Sequence, residues 1–155
     1  MKPYYRKATA KDALLVANNL RKEDREELEG VGHTNCPLAL LFAVQSSETA
    51  IAFFDEDGAI GGVGGIVDDP REGVGAVWML CTPVVTRKPH TFIRNLKRWL
   101  KEQHGYRMLW NIACAKNTFH HKLLKILGFK AIQITYQPPY GRPYYEIVKL
   151  CAPQQ

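Results

Sequence analysis

The chain has 155 residues, 46% of them apolar, with a formal net charge of +6. A chain of this length buries roughly two-thirds of its unfolded surface, so residues 1–155 are expected to form one compact domain. No apolar run is long enough to span a membrane, and the opening "MKPYYRKATAKD" lacks the apolar core of a secretory signal, which predicts a cytosolic setting and no membrane partner.

The first segment, "YYRKA" (4–8), has strand composition, and "TAKD" after it is a capping box in which Thr9 caps and Asp12 reaches back. A helix follows to about Leu20 with Ala13, Val16, Ala17 and Leu20 on one face. The stretch "RKEDREELEG" reads as a short exposed helix stopped at Gly30, its carboxylates forming a solvated face. Pro37 can open a further helix, "PLALLFAVQSS", whose apolar content predicts burial against a sheet.

"TAIAFFDEDGAIGGVGGIV" reads as strand, tight Asp57-Gly58 turn and strand. "GGVGG" is no phosphate loop, because neither a helix nor a Lys-Ser/Thr pair follows; it marks a bulged or closely approached strand. "GVGAVWMLCTPVV" is a long apolar strand suited to the middle of a sheet. Residues 89–103 form the clearest helix, with Phe92, Leu96, Trp99 and Leu100 inward and a second stripe of Arg94, Lys97, Arg98 and Lys101. "YRMLWNIACA" is another buried strand. "NTFHHKLLKILGF" is a helix with Phe119, Leu123, Ile126 and Leu127 toward the core and Gly128 as its stop. The chain closes with a β-hairpin across a Pro/Gly/Tyr connection.

Cys36, Cys81, Cys114 and Cys151 lie far apart without a CxxC pair and read as unpaired, mostly buried thiols. His33 and Cys36 have metal-like spacing but no second ligand pair, and His120 and His121 point in different directions on a helix, so no metal is expected.

The element order and three motifs, "YRKATAKDALLVANNL", "GAVWMLCTPVV" with its basic helix, and "NTFHHKLLKILGF", resemble the GCN5-related N-acetyltransferase (GNAT) superfamily across nearly the whole chain. The resemblance implies an α/β (α+β) acyl-CoA N-acyltransferase fold, with a central mixed, mostly antiparallel sheet flanked by helices. A closer resemblance joins "LRKEDREEL", "VWMLCTPVV", "FIRNLKRWL" and "NIACAKNTFHHKLLKILGF" to small acetyltransferase-like proteins of tailed bacteriophages, some related to an internal virion protein of short-tailed phages. It implies a phage origin and a place in the host cytoplasm or the virion.

If the family's chemistry is present, acetyl-CoA is the cofactor. The strand amides of Leu80, Cys81 and Thr82 would orient its thioester, Arg87 and Lys88 would attract phosphate, and Asn117 matches the family's Asn. Two elements depart from the family pattern. The glycine-rich pyrophosphate loop is replaced by "TPVVTRKPHTFIRN", which has no glycine and in which Pro89 removes an N–H. The position of the family's general-acid Tyr, seven residues after Asn117, holds Leu124. Asn117 also has a plain role as a helix N-cap, and Cys81 reads as a buried thiol rather than a nucleophile.

Glu23, Asp24, Glu26 and Glu27 could border an acceptor groove, and Tyr136, Tyr140, Tyr144 and Tyr145 on the terminal hairpin read as packing or surface. No catalytic residue is assigned from sequence. The leading expectation is a phage-encoded protein with a degraded acetyl-CoA site, acting with virion or host proteins. The alternatives are an active N-acetyltransferase on an unknown amine, and a nucleic-acid-binding module using Arg94, Lys97, Arg98 and Lys101.

Overall fold

A computed structural model describes residues 1–151. In chain order the elements are β1 (Tyr4–Lys7), α1 (Ala10–Ala17), α2 (Lys22–Gly30), α3 (Cys36–Ser46), β2 (Thr49–Phe54), β3 (Ile60–Asp68), β4 (Val74–Cys81), α4 (Val84–Arg87), α5 (Pro89–Glu102), β5 (Met108–Cys114), α6 (Thr118–Ile126), β6 (Lys130–Gln137) and β7 (Arg142–Leu150). The strands form one sheet in the order β1-β2-β3-β4-β5-β7-β6, antiparallel throughout except for the parallel β4–β5 pair.

Strand alternation builds a core on each face of the sheet. Ile51 and Phe53 of β2 join Cys81, Phe92, Leu96, Trp99, Leu109 and Leu123 beneath α5 and α6. Ala50, Ala52 and Phe54 join Val16, Leu20, Leu40 and Val63 beneath α1 and α3. The glycines of β3 permit close approach. The β2–β3 register shifts between Phe53 and Phe54, and a Cβ on Gly62 would stand 2.5 Å from the Leu80 carbonyl oxygen.

Most elements stand where the sequence places them, and the Thr9–Asp12 capping box is present in full. Four expectations need correction. Helix α1 ends at Ala17, and Leu20 reaches the core from the connection that follows. The apolar run 74–85 does not stay extended: β4 ends at Cys81, and Pro83 caps the one-turn α4, because proline fixes a helical φ and lacks the ladder N–H. Helix α3 does pack on the sheet, at β2 and β3, and on α1, but it fully buries only Cys36 and Leu40 and leaves Leu38 and Phe42 exposed on its outer side. On α6 the inward residue is Leu124 and not Ile126, which is exposed.

The β4–β5 pair positions the candidate site. Its ladder holds only from Val74–Met108 to Ala76–Trp110, although β4 continues to Cys81 and β5 to Cys114. Beyond Ala76 the strands part, with the Asn111 side-chain amide donating to the Val77 carbonyl at 2.6 Å where the gap begins. A parted strand pair leaves backbone donors in the sheet interior that need other acceptors.

Candidate active site

Helix α2 supplies those acceptors. The Arg21 N–H at its start donates to the Cys81 carbonyl at 2.9 Å, which lays the helix across the open end of the gap. Asp24 and Glu27, three residues apart, then point inward together. Asp24 Oδ2 accepts the Cys81 N–H at 2.7 Å, and Glu27 Oε1 accepts the Cys114 N–H at 2.6 Å. The expectation that the α2 carboxylates form a solvated face is therefore wrong for these two, which are 0% and 9% exposed. Their pairing with strand amides outweighs the helix's overall polarity.

Asn117, at the start of α6, makes no capping bond with its side chain. Its Nδ2 donates instead to Asp24 Oδ1 at 2.8 Å and Glu27 Oε2 at 3.1 Å, while its Oδ1 accepts from Arg21 Nη1 at 3.3 Å. Arg21 also pairs with Asp24 at 2.9 Å and lies over the Phe119 ring. One turn along α6, His120 places Nδ1 3.4 Å from Glu27 Oε2. From β7, the Tyr144 hydroxyl donates to the Glu27 carbonyl at 2.6 Å, and a Cβ on Gly30 would overlap that hydroxyl.

The cluster is a set of opposed charges in a poorly solvated place, and burial is the first influence on each group. Burial raises the Asp24 carboxyl, and the charges of His120 and Arg21 do not fully offset it. Burial also works to raise Glu27, but the hydrogen bond and charge of His120, with the Cys114 N–H and Asn117, hold it below the usual range. Burial works to lower His120, and Glu27, followed by Asp24, outweighs it, so the imidazolium is favoured. Burial pushes the Cys81 thiol well above its ordinary value, which removes it as a nucleophile near neutral pH.

Asp24, Glu27 and His120 offer ligand atoms within 4.8 Å of one another. All four carboxylate oxygens already have donors, and the Arg21 guanidinium inside the cluster has the wrong charge to neighbour a metal ion.

Beside the cluster a slot of about 250 Å³ runs between β4 and β5. Its walls are mostly apolar, formed by Leu28, Trp78, Met79, Trp99, Leu124 and Ile147 among others, with Glu27, His33, His120 and Tyr144 as ionisable members. His120 Nδ1 faces Glu27 and Asn117, whereas Nε2 has no hydrogen-bond partner among the described residues and is not enclosed. A Glu-oriented imidazole with its second nitrogen open can exchange a proton with a molecule in the slot.

The residues singled out from sequence divide into four groups. Leu80 and Cys81 end β4 and Thr82 follows it, but the Cys81 amide is taken by Asp24 and the Thr82 amide by the Gly61 carbonyl at 2.9 Å. Arg87 is exposed at the end of α4, and Lys88 is ion-paired with Glu56 of the β2–β3 turn. Asn117 joins the buried cluster. Arg94, Lys97, Arg98 and Lys101 line one shallow surface on α5 with His90 and Ile93, and none forms an ion pair among the described residues. Sequence reading left Arg21 and His120 out of the site. The signals were the i, i+3, i+6 spacing of Arg21, Asp24 and Glu27, and the i, i+3 spacing of Asn117 and His120.

No family model and no curated protein matches the chain. Solved structures do. Spermidine N-acetyltransferase from Vibrio cholerae, solved with CoA and spermine, superposes with a TM-score of 0.72 at 13% identity, over 96% of this chain and 95% of that one. A GNAT-family acetyltransferase from Streptococcus pneumoniae gives 0.65 at 18% identity, over 97% and 100%. A GCN5-related N-acetyltransferase from Brucella melitensis gives 0.67 at 16%, over 96% and 76%. The chain has the GNAT fold. Within it, the parted β4–β5 pair and α2 frame the slot, and the turn after β4 is the helical α4 rather than a glycine-rich loop.

Proposed function

We propose that the chain is an N-acyltransferase that takes its acyl group as a CoA-type thioester in the β4–β5 slot. The observation that carries this reading is the slot itself, an apolar passage in a GNAT fold with the Glu27–His120 pair in its wall. Its apolar lining suits the acyl and thioester end of such a donor. The donor's phosphates fit less well, because Pro89 lacks an N–H, α4 has no glycine and Lys88 is held by Glu56, leaving Arg87 as the open cation. In the transfer, the acceptor amine would form the C–N bond as the C–S bond breaks, its proton would pass to His120 Nε2, and the sulfur would leave with the C–S electron pair as a thiolate that takes a proton from water. Glu27 keeps that imidazole oriented and stabilises its charged form.

A second reading has a specific observation behind it. Asp24 and Glu27 already accept from the Cys81 and Cys114 amides, so the backbone donors at the end of the gap are satisfied within the protein. That supports a frame without the chemistry, serving virion or host proteins as the phage resemblance implies.

Calorimetric titration with acetyl-CoA, followed by thiol release with a panel of small amines and polyamines, separates the two. Saturable one-to-one binding and amine-dependent thiol release that His120→Gln abolishes are expected. No heat at millimolar acetyl-CoA and no thiol release would overturn the transferase reading in favour of the frame.

A further inference from the structure

Strand β6 is an outer strand of the sheet, and among the described residues its one strand partner is β7. Gln137 accepts the Gly141 N–H at 2.8 Å, which turns its backbone into the hairpin. By antiparallel alternation, the N–H and C=O groups of Tyr136 and Ile134 then face outward, unpaired. The ladder is regular from Gln133 to Gln137, with its register shift confined to Ala131–Gln133. Ile134 and Tyr136, 47% and 71% exposed, lie on the face they share with their partners Tyr145 and Pro143.

Edges of native sheets are ordinarily guarded by charge, proline or a covering element. Residues 131–137, "AIQITYQ", contain no charge and no proline in a chain of net charge +6. Lys130, the cation of β6 itself, lies beyond the register shift, and Arg142 stands on β7 opposite Gln137 at the hairpin end.

We propose that β6 pairs antiparallel with β6 of a second copy of this chain, about a two-fold axis through Thr135. Such an axis keeps side chains on their own faces only if residues of equal parity meet. Centring on Thr135 uses only the regular segment, whereas centring on Ile134 would draw in the irregular position 132. In the Thr135 register, Ile134 meets Tyr136 of the partner subunit twice, as hydrogen-bonded pairs, and Gln133 meets Gln137 of the partner subunit. Thr135 meets its own copy as a non-hydrogen-bonded pair. The strand is thus complementary to itself in side chains and backbone, and its lack of charge lets two cationic chains approach there. This inference is independent of the transferase reading.

Sedimentation velocity of the full chain, subunit mass 17.6 kDa, is expected to show a dimer at micromolar concentration. Thr135→Lys, which opposes two lysines on the axis, is expected to give monomer with an unchanged circular dichroism spectrum. Under mild oxidation Thr135→Cys is expected to cross-link as a covalent dimer, because non-hydrogen-bonded pairs bring Cβ atoms within disulfide reach. Gln133→Cys should not cross-link, nor should the wild type, whose Cys36, Cys81 and Cys114 are buried and whose half-buried Cys151 lies past the far end of β7 from Tyr144, the partner of Thr135. A wild-type monomer at every concentration overturns the proposal. So does a dimer that Thr135→Lys leaves intact, or one in which Gln133→Cys cross-links and Thr135→Cys does not. If Thr135→Lys fails to fold, the cysteine pair decides.

Discussion

Asp24 accepts the backbone N–H of Cys81 at 2.7 Å, so the last residue of β4 is bonded to a helix rather than to the next strand. The same carboxylate holds Arg21 and Asn117, and all four groups are buried. Asp24→Ala would leave a buried guanidinium, an amide and a strand N–H without their acceptor. The expected cost is about 3 to 5 kcal/mol, the scale for removing one member of a buried charge pair. Urea unfolding of the two proteins measures it, and a loss below about 1 kcal/mol would mean that solvent reaches the cluster.

Glu27 sets the charge of His120. Replacing it with Gln keeps an oxygen for the Cys114 N–H but removes the negative charge that outweighs burial. The His120 pKa is therefore expected to fall in Glu27→Gln, which titration of the imidazole resonances by NMR reads directly. An unchanged value would assign the stabilisation of the imidazolium to Asp24.

The His120 shift also fixes a sign for stability. Its folded pKa lies above the ordinary 6.5, so its pairing contributes fully below that value and is lost as pH rises through the folded pKa. Glu27 acts oppositely. Its folded pKa lies below the ordinary 4.5, and its contribution is present above that value and lost as pH falls through the folded pKa. The stability gap between wild type and His120→Gln should therefore narrow with rising pH. Urea midpoints at about pH 6 and about pH 9 test this. Transfer activity has the reverse dependence, since a proton acceptor must be neutral, and should rise through the same pKa.

Gly62 is fixed by a backbone contact. A Cβ there would stand 2.5 Å from the Leu80 carbonyl oxygen and 2.7 Å from the Phe53 ring, and neither can swing aside as a surface side chain does. Gly62→Ala is expected to destabilise by about 1 to 3 kcal/mol, the range for overpacking a core. Thermal unfolding should show a lower Tm. An unchanged Tm would mean that β3 and β4 can separate locally.

Arg94, Lys97, Arg98 and Lys101 present exposed charge on one stripe of α5. Reversing Lys97 and Lys101 to Glu is expected to shorten retention on a polyanion column and flatten its salt dependence, as fewer counterions are released. Stability should stay within about 0.5 kcal/mol, as for other exposed substitutions. Unchanged retention would place the polyanion-binding charge elsewhere.

Sequence alone determined the fold and all its elements but the one-turn α4. Period-2 and period-3.6 patterning, the Thr9–Asp12 box and the Gly58 and Gly128 stops are local signals, and their order carries the GNAT resemblance. Local pattern also exposed the missing glycines before α5 and the leucine at 124. The site was decided by tertiary structure. Asp24 and Glu27 share a helix face with Arg21, but Glu23 and Glu26 have the same i, i+3 spacing, so spacing alone does not say which pair is buried. They are buried because β4 and β5 part after Ala76, leaving the Cys81 and Cys114 amides without strand partners. His120 differs from His121 for the same reason: only the residue one turn after Asn117 faces Glu27. A strand gap is a relation between segments more than thirty residues apart, and the demand it makes on buried polar groups appears only once those segments meet.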